Sequence, residues 1–390
     1  MKTRSTLTIL LLAVLLGVSA LVALAAPTDD PSAPAALAAP SAVCISTGSG
    51  NWSAAIWSCA GGPTINDIVI INDGHTVTLD TNGSAYQLIV GGGTSGMLTH
   101  ASGSQTLSVG AGGVSVSNGA TFNAPETLNL AGNLTNNGTF NATGSTVVMN
   151  GTGAPQSIGG SNLTFNNLQI ATNAVVNLTT NATVNGTLTL DSDLNVSSGY
   201  ALTMESSATT QGNADVVGVT KRAHSFTPGT AYSFGSPYTT IQFASGGTLP
   251  SAITVQLFKT TPGGLANAVQ RYYSITPTGG SGYTFDLKLH YRDSELGSVN
   301  ENNLQMWQQV NGLWTLRSVT SRDTTNNWVQ KTGLTSFSLW ALSDSGAPTA
   351  VTLSMLDARA DSPSALPFIG LGALAVVMLG VVLWRRTMCQ

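Results

Sequence analysis

The chain has 390 residues, 8% of which are charged, and a formal net charge of −4. No lysine or arginine occurs between Arg4 and Lys221, so the eight acids from Cys44 to Thr220 give that stretch a charge of −8 (0 − 8). This pattern excludes nucleic-acid binding through the acidic part of the chain, because phosphates would be repelled there.

The first 25 residues have the layout of a secretory signal peptide. A cationic head ending at Arg4 precedes an almost wholly apolar run, and Ala23 and Ala25 occupy the small-residue positions of a cleavage site. We predict cleavage after Ala25, with an uncleaved anchor as the alternative. Residues 26–43 form an Ala/Pro-rich linker without apolar periodicity.

Two cysteines follow the linker. Cys44 and Cys59 lie fifteen residues apart, with Trp52 and Trp57 between them. Export permits a disulfide here, and the loop-entropy model gives such a bridge about 3 kcal/mol of stabilisation. Two buried free thiols are the alternative.

Residues 44–217 predict a repetitive β structure. Short apolar runs alternate with Gly, Asn and Ser turns, and none shows helical periodicity. Asn133-Leu134-Thr135 recurs 44 residues later as Asn177-Leu178-Thr179, and Phe122 and Phe140 lie eighteen apart within similar segments. Periods near 20, or twice that, are typical of a solenoid. We predict a parallel β-helix with stacked Asn side chains; a β-sandwich with Thr- and Asn-rich strands is the alternative.

The segment from Gly50 to Asp80 resembles a known pattern. It contains Trp52, Trp57 and the run Gly74-His75-Thr76-Val77-Thr78-Leu79. These features are similar to the opening of G8-type and related bacterial cell-surface proteins with a right-handed parallel β-helix. The resemblance implies a Trp-containing cap on the first coil and an extracellular or carbohydrate context, and it implies no fixed catalytic residues.

Residues 218–345 predict a second, membrane-proximal β domain. Nine short runs read as strands, and Phe285, Leu287 and Leu289 alternate with polar residues as in a half-buried antiparallel strand. The strand spacing predicts an immunoglobulin-like sandwich. Thr335-Ser336-Phe337-Ser338-Leu339-Trp340 resembles domains that precede the anchors of modular bacterial surface proteins. We expect four tryptophans to pack in the core and at the edges of this domain, with an aromatic sugar-binding platform as the alternative: Trp307, Trp314, Trp328 and Trp340.

The C-terminus predicts a membrane anchor. After a linker at 346–365, residues 366–384 contain no charge, which nearly matches the ~20 residues needed to cross a bilayer. Arg385 and Arg386 follow, so residues 385–390 are predicted to be a short cytoplasmic tail. A buried core helix is the alternative.

Candidate sites are few. The weak acid or carbohydrate candidates of the repeat region are Asp73, His75, Asp80, Asp191 and Asp193. Glycoside hydrolysis needs two carboxylates facing one cleft, and pectate-type lyases need a basic residue that this region lacks. Weak Ca²⁺ candidates in the second domain are Asp293, Glu295 and Glu301, with a solvated loop as the alternative. The spacing of the four histidines predicts no metal site, and no cofactor is expected.

The sequence favours a non-enzymatic cell-surface protein. We expect a single-pass, largely extracellular chain that is structural or adhesive and contacts cell-envelope glycans or neighbouring cells. The alternatives are a membrane-anchored polysaccharide lyase or glycoside hydrolase on a β-helix, and a spacer that displays nothing.

Overall fold

The computed structural model describes residues 40–161 and 163–345. Within these ranges the chain is all-β, as predicted: the strands are accompanied by two 3-10 helices, Asp293–Glu295 and Glu301–Asn303. No helix of the described residues is long and apolar enough to cross a membrane. The predicted signal peptide, most of the first linker, the second linker, the anchor and the tail lie outside the described residues.

Strands β1 to β20 build a parallel solenoid, which confirms the β-helix prediction over the sandwich alternative. Their bounds are β1 Ala42–Ile45, β2 Gly50–Asn51, β3 Asp67–Ile71, β4 Thr76–Leu79, β5 Gly83–Val90, β6 Met97–His100, β7 Thr106–Val116, β8 Thr121–Asn123, β9 Thr127–Leu130, β10 Leu134–Asn136, β11 Thr139–Met149, β12 Gln156–Gly160, β13 Leu163–Ile170, β14 Val176–Leu178, β15 Ala182–Val184, β16 Thr187–Leu190, β17 Leu194–Val196, β18 Leu202–Met204, β19 Thr209–Gly212 and β20 Val216–Arg222.

The solenoid has three parallel sheets. The first sheet contains β1, β3, β5, β7, β10, β12, β14, β17 and β20, which gives about nine turns. The second contains β2, β4, β6, β8, β11, β13, β15, β18 and β20. The third contains β5, β7, β9, β11, β13, β16 and β19. Five strands bend through a corner and therefore belong to two sheets: β5, β7, β11, β13 and β20.

The sequence repeat corresponds to turns of the solenoid. Leu134 aligns with Ile158, which aligns with Leu178, so the 44-residue offset is two turns of 24 and 20 residues. Phe122 aligns directly with Phe140, and their ring centroids lie 5.6 Å apart. Asn141 Nδ2 donates to Asn123 Oδ1 at 2.7 Å, so the predicted Asn stacking occurs on this pair of turns.

Alternation along each strand creates the core. In β16, Leu188 and Leu190 are fully buried, whereas the threonines beside them are half-buried. Because fully burying one aliphatic side chain contributes about 1.5–3 kcal/mol, a single turn gains too little to offset its ordering entropy, and neighbouring turns must stabilise each other. Glycine is required at tight corners: Gly160 has φ +94°, and a Cβ there would lie 1.9 Å from Asn136 O.

The N-terminal end of the solenoid is closed by a short cystine loop. Cys44 and Cys59 form the predicted disulfide, with an S–S distance of 2.02 Å. Inside the loop Trp52 and Trp57 are buried edge to face, and Trp57 Nε1 donates to Trp52 O at 2.8 Å. These residues cover the apolar lumen of the first turn.

The second region is antiparallel. Its further strands are β21 Ala231–Ser233, β22 Thr240–Phe243, β23 Ala252–Phe258, β24 Ala268–Thr278, β25 Phe285–His290, β26 Gln305–Val310, β27 Leu313–Arg317, β28 Ser321–Asp323, β29 Trp328–Leu334 and β30 Leu339–Ser343. One sheet has the order β20-β23-β24-β30-β26-β27, and the other has β21-β22-β25-β29-β28. All nine predicted strands are present, and β20 and β28 add to them. Strand β20 belongs to both regions.

The two antiparallel sheets share one apolar core. Phe243 and Phe285 from one sheet and Tyr273 and Trp340 from the other are buried in the same cluster. Trp307 is also buried, whereas Trp314 and Trp328 are partly exposed, which agrees with the predicted division between core and edge. The immunoglobulin-like assignment stays a prediction, because this strand order does not establish it.

Candidate functional site

The first group of candidate residues braces turns near the N-terminal end of the solenoid. Asp73 Oδ1 accepts hydrogen bonds from the backbone N–H groups of Gly92 (2.7 Å) and Ser95 (3.0 Å), which lower the pKa of Asp73. Asp80 accepts from the hydroxyl of Ser53 at 2.6 Å and from its backbone N–H at 3.0 Å. Both carboxylates therefore serve local backbone geometry.

His75 is also bound within this end of the solenoid. Its Nδ1 lies 2.8 Å from Ser46 Oγ, which in turn accepts from the backbone N–H of Asn72 at 2.9 Å. Different partners thus hold His75 and the two aspartates beside it in sequence.

The second pair of candidates lies at the opposite end of the solenoid. Asp191 Oδ2 accepts from Gln169 Nε2 at 2.8 Å. Asp193 accepts from the backbone N–H of Asp215 at 3.0 Å, since Leu194 and Val216 align in the first sheet. An open cleft of about 320 Å³ is lined by Asp191, Ser192, Asp193, Asn213, Ala214 and Arg292.

The three calcium candidates have three different partners. Asp293 Oδ1 accepts from Asn327 Nδ2 at 2.8 Å, and Glu301 Oε1 accepts from the hydroxyl of Tyr291 at 2.7 Å. Glu295 is bound to Arg271, with Oε2 2.5 Å from Nε and Oε1 2.8 Å from Nη2. In residues 40–161 and 163–345 no group of three or more His, Cys, Asp or Glu residues is arranged to hold a metal ion.

Two of these candidates meet in one ionic cluster where the solenoid joins the antiparallel sheets. We call it the junction cluster, and its members are Asp193, Asp215, Lys259, Arg271, His290, Arg292 and Glu295. The two aspartates come from the last turns of the solenoid, whereas the other five residues come from the antiparallel region. Cations of the antiparallel region therefore pair with two of the last three acids of the solenoid, Asp193 and Asp215.

Asp215 and Arg271 form the buried centre of the junction cluster. Arg271 Nη2 lies 2.9 Å from Asp215 Oδ2, and Arg271 Nη1 donates to the hydroxyl of Tyr273 at 2.9 Å. His290 Nδ1 lies 2.8 Å from Asp215 Oδ1. The exposed fractions of the Asp215 and Arg271 side chains are 1% and 0%, so both charges depend on protein partners rather than on water.

Lys259 and Arg292 form the outer layer of the junction cluster. Lys259 Nζ lies 2.5 Å from Asp193 Oδ2 and 3.7 Å from Asp215 Oδ2. Arg292 binds Asp193 through Nη2, and its Nε lies 3.2 Å from Asp215 Oδ2. These side chains are about one quarter exposed. The outer layer therefore neutralises the two stacked aspartates at the surface of the joint.

The electrostatics at the centre of the junction cluster favour the ionised forms of Asp215 and Arg271. Burial by itself would raise the pKa of Asp215, but Arg271 and the hydrogen bond with His290 hold this pKa well below its usual range. Burial opposes the charge of Arg271 as well, and Asp215 and Glu295 nevertheless raise the pKa of Arg271. Burial raises the pKa of Tyr273 to about 12. The negative charges of the three carboxylates in the junction cluster balance the positive charges of its two arginines and its lysine. The cluster therefore holds the two regions together, and none of its carboxylates is unpaired for acid–base chemistry.

Sequence reasoning missed Asp215, Arg271 and His290. A signal was present in β24, where Val269, Arg271, Tyr273 and Ile275 occupy alternate positions and all point inward. A cation in an apolar alternation requires a buried acid. The position of that acid, 56 residues earlier in the chain, follows only from the fold.

A second concave surface lies at the N-terminal cap. An open cleft of about 600 Å³ is lined by Trp52, Ser53, Ala54, Ala55, Trp57, Cys59, Ala60, Gly61, Gly62, Pro63, Thr81 and Asn82. Its lining is uncharged, but both tryptophans are more than 90% buried, so their rings form the floor of the cleft and offer little area for stacking.

The three comparisons with known proteins give no relative for this chain. No protein-family model, no curated protein and no solved structure matches it. Its function is therefore inferred from its own residues.

Proposed function

We propose that the chain is a non-enzymatic bacterial cell-surface protein, structural or adhesive, that presents its β-helix to cell-envelope glycans or to neighbouring cells. In this proposal residues 366–384 anchor the chain and residues 40–345 are extracellular. A G8-like opening segment and an immunoglobulin-like membrane-proximal domain belong to the same proposal.

The bonding of the solenoid carboxylates carries this proposal. Each aspartate that the sequence offered as an acid is a hydrogen-bond acceptor for a turn, a neighbouring side chain or the junction cluster. The outward positions between them are mostly amides and hydroxyls. Such a surface suits many weak, uncharged contacts along a rod and gives no pair of free carboxylates for hydrolysis.

The test uses the full chain in its own membrane. We expect antibodies against the solenoid to label intact cells, and we expect cells with the chain to adhere to a glycan-coated surface more than cells without it. A variant with residues 366–384 deleted is the control for anchoring, and it should be found in the medium. Unchanged adhesion and unlabelled cells would contradict the proposal.

The open cleft beside Asp191 and Asp193 favours a second candidate, a membrane-anchored polysaccharide lyase or glycoside hydrolase. Arg292 lies at the same cleft and supplies the basic residue that the solenoid sequence lacks. Turnover of acidic or neutral polysaccharides that is abolished in Asp191→Asn or Asp193→Asn, with folding intact, would establish this second candidate. Turnover that survives both substitutions would exclude this cleft as its site.

A further inference from the structure

The third sheet of the solenoid has an outward side with a regular pattern, which we call the hydroxyl–amide face. Its strands expose alternate residues because the residues between them, such as Leu128 and Leu188, are fully buried. The outward residues form two columns over six turns. One column is Thr106, Thr127, Thr146, Asn167, Thr187 and Thr209; the other is Ser108, Asn129, Val148, Gln169, Thr189 and Gln211.

The dimensions of this face follow from β geometry. Neighbouring turns lie about 4.8 Å apart, so six turns extend over roughly 24 Å, and the two columns lie about 7 Å apart because they are two residues apart on each strand. Eleven of the twelve side chains are hydroxyls or amides, and Val148 is the exception. The face therefore repeats donors and acceptors at a fixed interval along the solenoid.

Several hydroxyls on this face are not used by the protein. Asn129 Nδ2 donates to Ser108 Oγ at 3.5 Å, Asn167 Nδ2 to Thr146 Oγ1 at 3.3 Å, and Gln169 Nε2 to Asp191 Oδ2 at 2.8 Å. The hydroxyls of Thr187, Thr189 and Thr209 take part in none of these bonds. Three adjacent threonines are thus free to bind a ligand.

The other two sheets do not offer the same array. In the second sheet, β4, β6, β8 and β11 each have two outward residues, but the second of the two columns does not continue along the sheet. The later strands β15 and β18 have a single outward centre each, Thr183 and Thr203, because their flanking residues are buried. In the first sheet, β14 likewise has one, Asn177. A ligand with repeating polar groups therefore finds two parallel columns over six turns only on the third sheet of the described solenoid.

Charge decides which polymer suits the face. Residues 44–220 contain no lysine or arginine, and the eight acids of this stretch give it a negative field. A uronate-rich or sulfated polymer would be repelled, and an apolar peptide would leave these hydroxyls and amides unpaired. An uncharged chain of hydroxylated rings is not repelled by this field, and it can pair with the repeated donors and acceptors of the uncharged face.

From this geometry we propose that the hydroxyl–amide face binds an uncharged, linear polysaccharide laid along the solenoid. This inference rests on the proposed glycan contact and names its face and its ligand class. Since the contacts are hydrogen bonds between neutral groups, binding is weak per sugar, accumulates over several turns, and depends little on salt.

The experiment measures binding of the full chain in detergent micelles to immobilised linear glucan, mannan, xylan and poly-N-acetylglucosamine, each beside a carboxymethylated form of the same polymer. We expect at least one uncharged polymer to bind, its carboxymethylated form to bind at least about tenfold more weakly, and the binding to change less than about twofold between low and physiological salt.

Two matched variants locate the site. Thr187→Val/Thr189→Val/Thr209→Val removes three hydroxyls from the third sheet, whereas Thr164→Val/Thr183→Val/Thr203→Val removes three from the second. Valine keeps the β-branched shape, so both variants should unfold at the wild-type temperature. We expect the first to weaken binding at least about tenfold, since each lost hydrogen bond contributes a measurable part of the affinity, and the second to bind like the wild type.

The outcomes separate this inference from the proposed function. If both variants bind glycan equally, or if the carboxymethylated polymers bind more strongly, the hydroxyl–amide face is not the binding site. The proposed function as a glycan-contacting surface protein is unaffected by that result. No binding to any of the uncharged polymers overturns the face as the site of an uncharged ligand. If adhesion to a glycan-coated surface is absent as well, the proposed function falls with it.

Discussion

The solenoid and the antiparallel region both bury β-strands, but they do so through different contacts. In the solenoid each strand pairs with strands 18 to 27 residues away, as Phe122 with Phe140 and Gly50 with Val77. In the antiparallel region some partners are hairpin neighbours, such as Met306 and Arg317, and others, such as Tyr273 and Trp340, come from distant parts of the chain. The solenoid is therefore stabilised turn by turn, whereas the antiparallel region is stabilised only when all its strands are in place.

The two regions also differ in charge. Before its last strand, β20, the solenoid carries acids without cations, and the antiparallel region supplies Lys259, Arg271 and Arg292 to two of those acids, Asp193 and Asp215. Within the part of the chain that the structure describes, these two acids at the C-terminal end of the solenoid are therefore neutralised only by cations of the antiparallel region.

Breaking the junction cluster should destabilise the protein more than any other change proposed below. Arg271→Met leaves Asp215 and Glu295 buried without their main partner, and we expect the free energy of unfolding to fall by about 3–5 kcal/mol. Urea unfolding followed by tryptophan fluorescence measures this loss. Lys331→Met, which removes a partly exposed cation of β29, is the control and should change stability by less than about 1 kcal/mol. Equal effects would refute the role of the junction cluster.

A pair of core truncations compares the two modes of stabilisation. Leu168→Ala in the solenoid and Leu287→Ala in the antiparallel region both remove a fully buried side chain, and each should destabilise the protein by about 2–5 kcal/mol. Hydrogen exchange should rise only in the turns next to Leu168 but throughout the antiparallel sheets in Leu287→Ala. Uniform exchange across the solenoid in Leu168→Ala would show that its turns unfold as one unit.

Removal of the disulfide tests the other end of the solenoid. Cys44→Ala/Cys59→Ala should lower the free energy of unfolding by about 3 kcal/mol, because the unfolded chain is no longer constrained by the bridge. In the folded protein the loop between the two cysteines should open more easily and expose Trp52 and Trp57. Red-shifted tryptophan emission and faster hydrogen exchange confined to the first turns are the expected readouts. Faster exchange at the junction cluster would contradict the local character of the solenoid.

The smallest effect is an acid dependence of the junction cluster. Because the folded pKa of Asp215 is depressed, its stabilising contribution is complete above the unfolded value of about 3.9 and decreases as the pH falls below it. From this carboxylate alone we expect stability at pH 3 to be about 1 kcal/mol below that at pH 7.

Asp215→Asn is the matching variant for this acid dependence. Its urea midpoint should decline less between pH 7 and pH 3 than that of the wild type, because the substituted amide does not titrate. Parallel declines in the two proteins would assign the acid sensitivity to other groups.

Local pattern and repetition in the amino-acid sequence are enough to predict much of this fold. The all-β class, the stacked turns, the alignment of Phe122 with Phe140, the Cys44–Cys59 bridge and the nine strands of the second region follow from period, alternation and spacing. These features depend on residues that are close in the chain or on similar segments that recur. Their physical cause can therefore be recognised in the amino-acid sequence.

The contacts between groups that are distant in sequence become visible only in the folded chain. Asp73, His75 and Asp80 lie within eight residues of one another in sequence, yet each is held by a different partner. Asp193 and Glu295, which the sequence assigned to separate weak sites, belong to one cluster around Arg271 and Asp215. The pairing of charges depends on where strands of two regions end in space, and no local period encodes that position.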